Sequence, residues 1–405
     1  MRDASRIVSR IAGSAIMALV LAIVPSTPGR ASGLSTMSRT SPMLTRILDL
    51  SFVDARHGWV LGASCTTSGD RCVLVLRGTT DGGRTWQSLP APHPPVASRV
   101  AVGRAGFTSG FLRFITPEDG WAAAWTIGRE GQTLGYSLFV THNGGLTWSD
   151  ERGRGQIMAI VPRGDTVWAL TARCPPYPAA PPCPHTLLVS ADRGRTWRAL
   201  PRQPRLFGDI HIIRASLDDA WVLSSIQMHS VLSVTHDGGK TWTTLTDPCI
   251  SHAHGAFYED LAALDTRQLW QVCGGQPYSW ALGEKYLYVS SDGGQHWTPL
   301  ASTHPSGDKE RFPGTFPATG GGAHNLILTT KQRAWIILGN YWLFGTRDGG
   351  RTWTQPLPQQ RLNPGADALG PLLFVDTHHG WVALQPSRLF RTVDGGDHWE
   401  AVTLR

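Results

Sequence analysis

The sequence lacks a hydrophobic run long enough to cross a membrane, and it is poor in charge. Only 17% of its 405 residues are Asp, Glu, Lys or Arg. The longest apolar run, Ile11 to Val24, has fourteen residues, whereas a membrane-spanning helix needs about 20. Apolar residues at helical spacing do not occur beyond that run. The lack of apolar residues at helical spacing argues against a helical fold.

Motifs for cofactor, nucleotide and nucleic-acid chemistry are also missing. The chain has no phosphate-binding loop, dinucleotide fingerprint or Ser/His/Asp order. Its six cysteines never show the C-x-x-C spacing of zinc sites. The formal net charge is +7, with 33 Arg but only four Lys, a balance typical of a GC-rich genome, and no nucleic-acid-binding module accompanies it. We expect no cofactor, no metal and no nucleic-acid partner.

What the chain does contain is one octet, Ser/Thr-x-Asp-x-Gly-x-x-Trp, written seven times. In the second copy Asn143 replaces the Asp, and in the third Arg193 replaces the first Gly. The acid (or amide) and the tryptophan of the octets are, in order, Asp81 and Trp86, Asn143 and Trp148, Asp192 and Trp197, Asp237 and Trp242, Asp292 and Trp297, Asp348 and Trp353, and Asp394 and Trp399.

The residue types of the octet predict a tight turn that leads into a strand. Asp accepts hydrogen bonds from nearby backbone N–H groups, and Gly supplies a positive φ. The Trp then opens a strand and buries a large apolar surface. A second motif precedes each octet, as in Phe52 to Trp59 and Phe374 to Trp381, with weaker copies ending at Trp121, Trp168, Trp221, Trp270 and Trp335.

The octets resemble the Asp-box, or bacterial neuraminidase repeat, of sialidase-like β-propellers. Together with the Phe-x-Asp-x-x-x-Gly-Trp motif they are similar to the photosystem II stability/assembly factor family of propellers. The resemblance covers the chain from about Leu44 onward and implies an all-β, seven-bladed β-propeller of four-stranded antiparallel blades, with the octet between the third and fourth strands. It also implies a scaffold that binds a protein or peptide partner without catalysis.

The N-terminal residues read as an export signal. Arg2, Arg6 and Arg10 precede the apolar run, and Gly29-Arg30-Ala31 offers a cleavage site. We therefore expect a signal peptide over residues 1–31, a linker over 32–44 and the propeller over 45–405. The mature protein would be secreted, periplasmic or at the cell surface, and would be attached to a membrane only if the signal stayed uncleaved.

Each repeat is expected to contain four strands, A to D, in the first repeat Ile47–Val53, Trp59–Ala63, Val73–Arg77 and Trp86–Leu89. The A–B connections and the octets are uniformly short, and in a four-stranded blade they lie on one face of the disc, here called the octet face. All variation in length falls in the B–C and D–A connections, which lie on the opposite, variable face. Because functional residues concentrate on loops carried by a rigid scaffold, we expect the variable face to bind the partner.

Six cysteines in an exported chain suggest three disulfides. Local pairing would join Cys65 to Cys72 and Cys174 to Cys183, which leaves Cys249 for Cys273. All six lie in connections or strand ends of the variable face.

The candidate binding residues surround the expected channel mouth on this face: Asp209, His211, His252, His254, Glu259, Asp260 and His324. His252 and His254 could form half of a metal site, although a loop with two exposed histidines is the simpler interpretation. Asp49, Asp209, Glu259 and Asp260 leave open the facing carboxylates of a glycoside hydrolase. The arginine triad and the Arg-Ile-Pro signal of sialidases are not recognisable, so no catalytic residue is assigned, and a glycan-binding or glycan-cleaving propeller is the alternative function.

One arginine cluster is a candidate basic patch: Arg193, Arg195, Arg198, Arg202 and Arg205. Arginines at the outer edge of a blade protect the edge strand from unwanted pairing. A docking role, for an acidic segment of a partner or an anionic polymer, is an equally good interpretation.

Overall fold

The computed structural model describes residues 43–66, 72–92, 107–127, 133–151, 156–173, 184–226, 229–251, 256–275, 284–303, 311–319, 322–339, 341–357 and 369–404. Within these ranges the regular structure is almost entirely β: seven sheets and one short 3-10 turn, Pro248–Ser251. No helix in the described ranges is long and apolar enough to cross a membrane. The predicted signal peptide and linker lie outside the described residues, apart from Met43 and Leu44 at the linker's end.

Consecutive strands form each sheet, so each sheet is one blade. Blade 1 contains β1 (Arg46–Phe52), β2 (Gly58–Cys65), β3 (Cys72–Thr79) and β4 (Gln87–Leu89). Blade 2 contains β5 (Phe107–Phe114), β6 (Gly120–Ile127), β7 (Thr133–Thr141) and β8 (Ser149–Asp150). Blade 3 contains β9 (Gln156–Arg163), β10 (Thr166–Ala172), β11 (His185–Ser190) and β12 (Arg198–Ala199). Blade 4 contains β13 (Asp209–Arg214), β14 (Asp219–Ile226), β15 (His229–His236) and β16 (Thr243–Leu245). Blade 5 contains β17 (Ala256–Ala263), β18 (Leu269–Gly275), β19 (Lys285–Ser290), β20 (Thr298–Ser302) and β21 (Gly314–Thr315). Blade 6 contains β22 (Ala323–Leu328), β23 (Ala334–Leu338) and β24 (Trp342–Thr346). Blade 7 contains β25 (Leu369–Phe374), β26 (Gly380–Leu384), β27 (Arg388–Thr392) and β28 (Glu400–Val402).

The seven-bladed propeller predicted from the sequence is therefore confirmed, and the ring closes by packing rather than by exchange of a strand. The innermost strand of blade 7 lies beside that of blade 1. The ring of Trp381 stacks on Phe52 with centroids 3.6 Å apart, and its indole N–H donates to the carbonyl of Gly82. The first and last blades thus meet through the same Trp–Phe stacking that joins blades 1 and 2, where Trp59 stacks on Phe114 with centroids 3.7 Å apart.

The octets form the same hydrogen-bonded turn in blade after blade. In blade 1, Oδ1 of Asp81 accepts from the Thr85 backbone N–H at 2.9 Å, and Thr79 accepts from the Gly83 N–H at 2.9 Å. The first octet glycine needs a positive φ, for example 75° at Gly82. Arg193, which takes that position in blade 3, is held at a φ of 57°, a region that costs a non-glycine residue about 1–2 kcal/mol.

The burial of the tryptophans differs from the prediction. The octet tryptophans do not fill the core: each is only half-buried, and the strand begins one residue later. The buried ones are those that open the second strand of each blade, with Trp121, Trp168, Trp221, Trp335 and Trp381 at 1% exposure or less. Each of these packs against the octet tryptophan of the following blade, as Trp168 does against Trp242 at 5.9 Å between centroids. The octet tryptophan therefore covers a core residue of the neighbouring blade.

Two blades depart from the expected four strands. Blade 5 gains β21, which pairs in parallel with β20 through Ala301 and Gly314. Blade 6 has only three described strands, because beyond β24 a single bridge, between Gly345 and Thr354, takes the place of the fourth. The long connection predicted after Ala301 supplies β21, and its Phe316 enters the core between blades 5 and 6 at 1% exposure.

The structure forms two of the expected disulfides, Cys65–Cys72 and Cys249–Cys273. The first links the facing ends of β2 and β3. The second ties the 3-10 turn to β18, where Cys273 is fully buried. Cys174 and Cys183 lie outside the described residues.

Candidate functional site

The candidate residues of the channel come from the innermost strands of blades 4, 5 and 6. Asp209 and His211 lie on β13, Asp260 on β17 and His324 on β22. The structure brings three of the four together: Nδ1 of His211 is 3.2 Å from Oδ1 of Asp260, and His324 feels the charge of the same carboxylate. Burial lowers the pKa of His324, and the nearby carboxylate offsets part of that shift. Asp209, by contrast, is exposed.

Asp260 is bound mainly by backbone. A β-bulge shifts the register of β17 between Tyr258 and Asp260 and places the buried carboxylate against the next blade. Oδ1 accepts from the N–H of Leu261 at 2.9 Å, and Oδ2 accepts from the N–H of Leu326 in blade 6 at 2.6 Å. The side chain thus joins two blades.

Asp49 on β1 repeats this arrangement between blades 1 and 2. Its carboxylate also follows a bulge, and it accepts from the N–H of Leu50 at 2.8 Å and from that of Leu112 in blade 2 at 2.7 Å. Burial raises the pKa of Asp49 to about 6, although the Arg113 charge and the two N–H groups oppose the shift. Two of the acids for which a hydrolytic role was left open therefore clasp neighbouring blades together.

The sequence did not reveal this role, yet it contains a signal for it. Both clasps are Asp-Leu pairs in the middle of a first strand, at Asp49-Leu50 and Asp260-Leu261. A carboxylate in an otherwise apolar inner strand must find donors. The bulge that supplies them from the neighbouring blade is visible only in three dimensions.

Three other candidates of the channel mouth lie outside the described part of the chain: His252, His254 and the side chain of Glu259. Within the described part of the chain, no group of three or more His, Cys, Asp or Glu side chains could hold a metal ion.

The five arginines of the candidate basic patch divide into two sets. Arg193 is tied down by Asp165 at 2.8 Å and lies 3.7 Å from Asp119, whose other oxygen is 3.9 Å from Arg195. The other three are exposed, and within the described ranges no carboxylate lies within 4.0 Å of their side chains. They are Arg198 on β12 and Arg202 and Arg205 in the connection that follows it. The second set is therefore available to an outside anion.

Beside these arginines, the variable face of blade 4 exposes apolar and aromatic groups that sequence reasoning missed. The ring of Phe207 stacks on His229 with centroids 5.2 Å apart, and Ile226 pairs with His229 across the β14–β15 hairpin. Ile226 is 53% exposed, and Ile250 in the 3-10 turn is 57% exposed. We call Phe207, Ile226 and His229 the blade 4 patch. Ile250 lies in the turn that the Cys249–Cys273 disulfide ties to blade 5.

No model of a protein family matches this sequence, and no curated protein does either. Solved structures do match in fold. The structure described as "YCF48 bound to D1 peptide" is 19% identical with a TM-score of 0.52, over 87% of this chain and 95% of that one. YCF48 from Cyanidioschyzon merolae is 15% identical with a TM-score of 0.51, over 87% of this chain and 96% of that one.

A puromycin-hydrolyzing peptidase from Mycobacterium tuberculosis also matches, at 14% identity and a TM-score of 0.52, over 88% of this chain but only 53% of that one. This chain thus spans about half the length of the peptidase. At such low identities these likenesses establish the propeller fold, and they leave activity and ligand open.

Proposed function

We propose that this chain is an exported, non-catalytic β-propeller that binds a protein or peptide partner through its variable face. The observation that carries the proposal is the hydrogen bonding of the two acids on the innermost strands. Asp49 and Asp260 each accept two backbone N–H groups, one from the neighbouring blade. Carboxylates held in this way serve the scaffold, whereas a glycoside hydrolase needs two that face its substrate.

The blade 4 patch and Ile250 support binding to a macromolecule. Ile226 and Ile250 are each more than half exposed, and exposed apolar groups rimmed by polar ones mark interaction sites. Arg202 and Arg205 lie in the chain just before Phe207. A partner with one apolar anchor and a nearby carboxylate would match both features.

Two of the solved structures with this fold are of YCF48, and one of them is described as bound to a D1 peptide. For the present chain, peptide binding is part of our proposal. The alternative, a propeller that cleaves glycans, is tested by the second experiment.

The first experiment selects peptides from a displayed random library on the immobilised mature protein and measures their affinity by fluorescence polarisation. Ile226→Asp and Ile250→Asp should weaken binding about tenfold or more, since each places a charge where the partner would cover an apolar side chain. The matched controls are Leu217→Asp and Val393→Asp, which alter side chains 56% and 51% exposed in turns of the octet face and should change little. Equal losses from both pairs would place the binding elsewhere.

The second experiment tests for hydrolysis. The purified protein is expected to cleave neither fluorogenic sialosides nor common β-glycosides. Turnover that Asp260→Asn or Glu259→Gln abolishes would contradict the non-catalytic assignment. Export is checked separately by N-terminal sequencing of protein recovered outside the cytoplasm, where cleavage after Ala31 is expected.

A further inference from the structure

Asn143 and Gly144, in the octet of blade 2, form the only Asn-Gly pair of the chain. The three other asparagines precede Leu326, Tyr341 and Pro364. Asparagine is a thermolabile residue. A following glycine makes it most so, because no side chain hinders attack by the glycine's backbone nitrogen. The second octet therefore contains the link that is chemically most prone to deamidation.

Deamidation at this link passes through a cyclic imide. The backbone nitrogen of Gly144 bonds to Cγ of Asn143, the bond from Cγ to Nδ2 breaks, and ammonia leaves with the proton that the Gly144 nitrogen gives up. Water then opens the ring at one of its two carbonyl carbons. Opening at Cγ gives aspartate, whereas opening at the main-chain carbonyl gives isoaspartate, in which the main chain runs through Cβ and Cγ.

In the native octet the attacking nitrogen is occupied. The N–H of Gly144 donates to the carbonyl of Glu118, in the A–B connection of the same blade, at 2.9 Å. The N–H at this octet position donates to the A–B connection in all seven blades, over distances of 2.8 to 3.2 Å. The nitrogen must break this bond before it can lose its proton and approach Cγ.

The side-chain amide of Asn143 is fixed as well. Oδ1 accepts from the Thr147 N–H at 2.9 Å and from the Thr141 hydroxyl at 3.0 Å, while Nδ2 donates to the Thr147 hydroxyl at 2.8 Å. The Thr141 hydroxyl also accepts from the Gly145 N–H at 2.9 Å. Both the electrophile and the leaving group are therefore held by the turn.

Burial does not add to this protection. Asn143 and Thr147 are exposed, and Gly144 is half-buried, so water reaches the link. The reaction is limited instead by opening of the hydrogen-bonded turn. Its rate in the native protein is then the rate in the open chain multiplied by the fraction of molecules in which the turn is open.

The two products differ in their fit to the octet. Aspartate occupies this position in the six other octets. Isoaspartate adds one carbon to the main chain before Gly144, so the N–H groups of Gly144 and Gly145 can no longer both reach their acceptors. The aspartyl product should therefore keep the native turn, and the isoaspartyl product should lose it.

We propose that Asn143 is a modification site controlled by folding. The native octet protects it, the unfolded chain deamidates at it, and the folded state tolerates the aspartyl product but is destabilised by the isoaspartyl one. The site lies on the octet face of blade 2, so the proposal is independent of partner binding at the variable face.

The first test compares native and guanidinium-unfolded mature protein during incubation at mildly alkaline pH. Mass spectrometry follows the tryptic fragment over residues 130–152, which contains Asn143 and no other asparagine. Deamidation of Asn143 should be at least about tenfold slower in the native protein, because the closed turn cannot react. Equal rates in the two states would overturn the proposal.

The second test uses a matched pair, Thr147→Val and Thr85→Val, which change the same octet position in blades 2 and 1. T147V removes the acceptor of Nδ2 and should speed native deamidation of Asn143 about threefold or more. T85V removes an equivalent bond to Asp81 and should leave the rate unchanged. A T147V protein that deamidates no faster than T85V would show that these side-chain bonds give no protection.

The third test concerns the products. Deamidated chains are refolded and held in urea near the midpoint of the wild type, where a short protease pulse digests the unfolded molecules. Electron-transfer fragmentation distinguishes the two products, and isoaspartate should be depleted about fivefold or more among the survivors relative to aspartate. Equal survival of the two products would refute the difference in their fit to the octet.

Discussion

The two faces of the propeller are built in different ways. On the octet face the same bonds recur: Thr85 and Thr241 donate to the octet aspartate in blades 1 and 4 at the same distances, 2.9 Å from nitrogen and 2.6 Å from oxygen. On the variable face the connections differ from blade to blade in length, in disulfides and in exposed groups. Repetition shows where the fold needs a fixed turn, and the lack of it shows where the chain is free to acquire a ligand.

A similar contrast separates the two series of tryptophans, and it gives the largest expected effect. Trp221→Ala, in the core of blade 4, should lower the free energy of unfolding by about 3–5 kcal/mol. Trp242→Ala, in the octet of the same blade, should cost about 1–3 kcal/mol, because that side chain is only partly buried. Urea denaturation followed by far-ultraviolet circular dichroism measures both.

Blade 6 provides a control for this comparison, because it also has a buried tryptophan on its second strand, Trp335, and a partly buried one in its octet, Trp353. If the octet tryptophan proved the costlier of the two in both blades, the assignment of the core to the second strand would be wrong.

The acids of the inner strands give the next effect. Asp260→Ala removes the acceptor of two backbone N–H groups and should cost about 1–3 kcal/mol, since buried donors are left unpaired. Asp209→Ala, on the first strand of blade 4, alters an exposed carboxylate and should stay within about 0.5 kcal/mol. Thermal unfolding of both variants compares them. A stable D260A would mean that water or His211 replaces the clasp.

The pH dependence of stability should have opposite signs in the two regions. Burial raises the pKa of Asp49 to about 6 from 3.8, so the native state binds this proton more tightly than the unfolded chain, and stability falls as pH rises from about 4 to about 6. Hydrogen bonds from Thr85 lower the pKa of Asp81 to about 2. The stabilisation that comes from the ionised Asp81 carboxylate is present above pH 4 and is lost as pH falls towards 2.

Urea midpoints measured between pH 3 and 7 test this. The wild type should lose about 1–2 kcal/mol relative to Asp49→Asn between pH 4 and 6, less than the full shift implies because the residue is partly solvated. Asp209→Asn should follow the wild type. Parallel curves for the wild type and D49N would show that Asp49 titrates normally.

Much of the architecture could be predicted from the sequence, because it is local. The octet turn depends on residues within eight positions of one another, and the pairing of Cys65 with Cys72 depends on seven. The features that were not predicted are set by neighbouring blades. Whether a motif tryptophan is buried depends on which blade covers it, and the clasp at Asp260 depends on a donor 66 residues away.

The same limit applies to the blades with unusual strand numbers. Pro356, which follows the single bridge of blade 6, is visible in the sequence, yet blade 5 also has a proline in its fourth strand, Pro299, and keeps the strand by shifting register between Leu287 and Tyr288. The sequence alone could not tell which proline ends its strand. The candidate site was likewise only partly predictable: His211 and Asp260 were named and lie together, whereas the blade 4 patch has no motif.

The smallest expected effect concerns the one octet that lacks its aspartate. Asn143 already reproduces most of the turn, since Oδ1 accepts from the Thr147 N–H at 2.9 Å and from Thr141 at 3.0 Å, but its amide nitrogen donates to the Thr147 hydroxyl at 2.8 Å. In the aspartate octets that have a threonine at this position the hydroxyl donates instead, as Thr85 does to Asp81 at 2.6 Å. Asn143→Asp needs only the rotation of one hydroxyl, and the new charge-assisted bond is exposed, so the gain should be about 0–0.5 kcal/mol. Asp81→Asn, the reverse change in blade 1, should lose a comparable amount in the same urea titration. A loss of more than about 1 kcal/mol for N143D would show that blade 2 requires the amide.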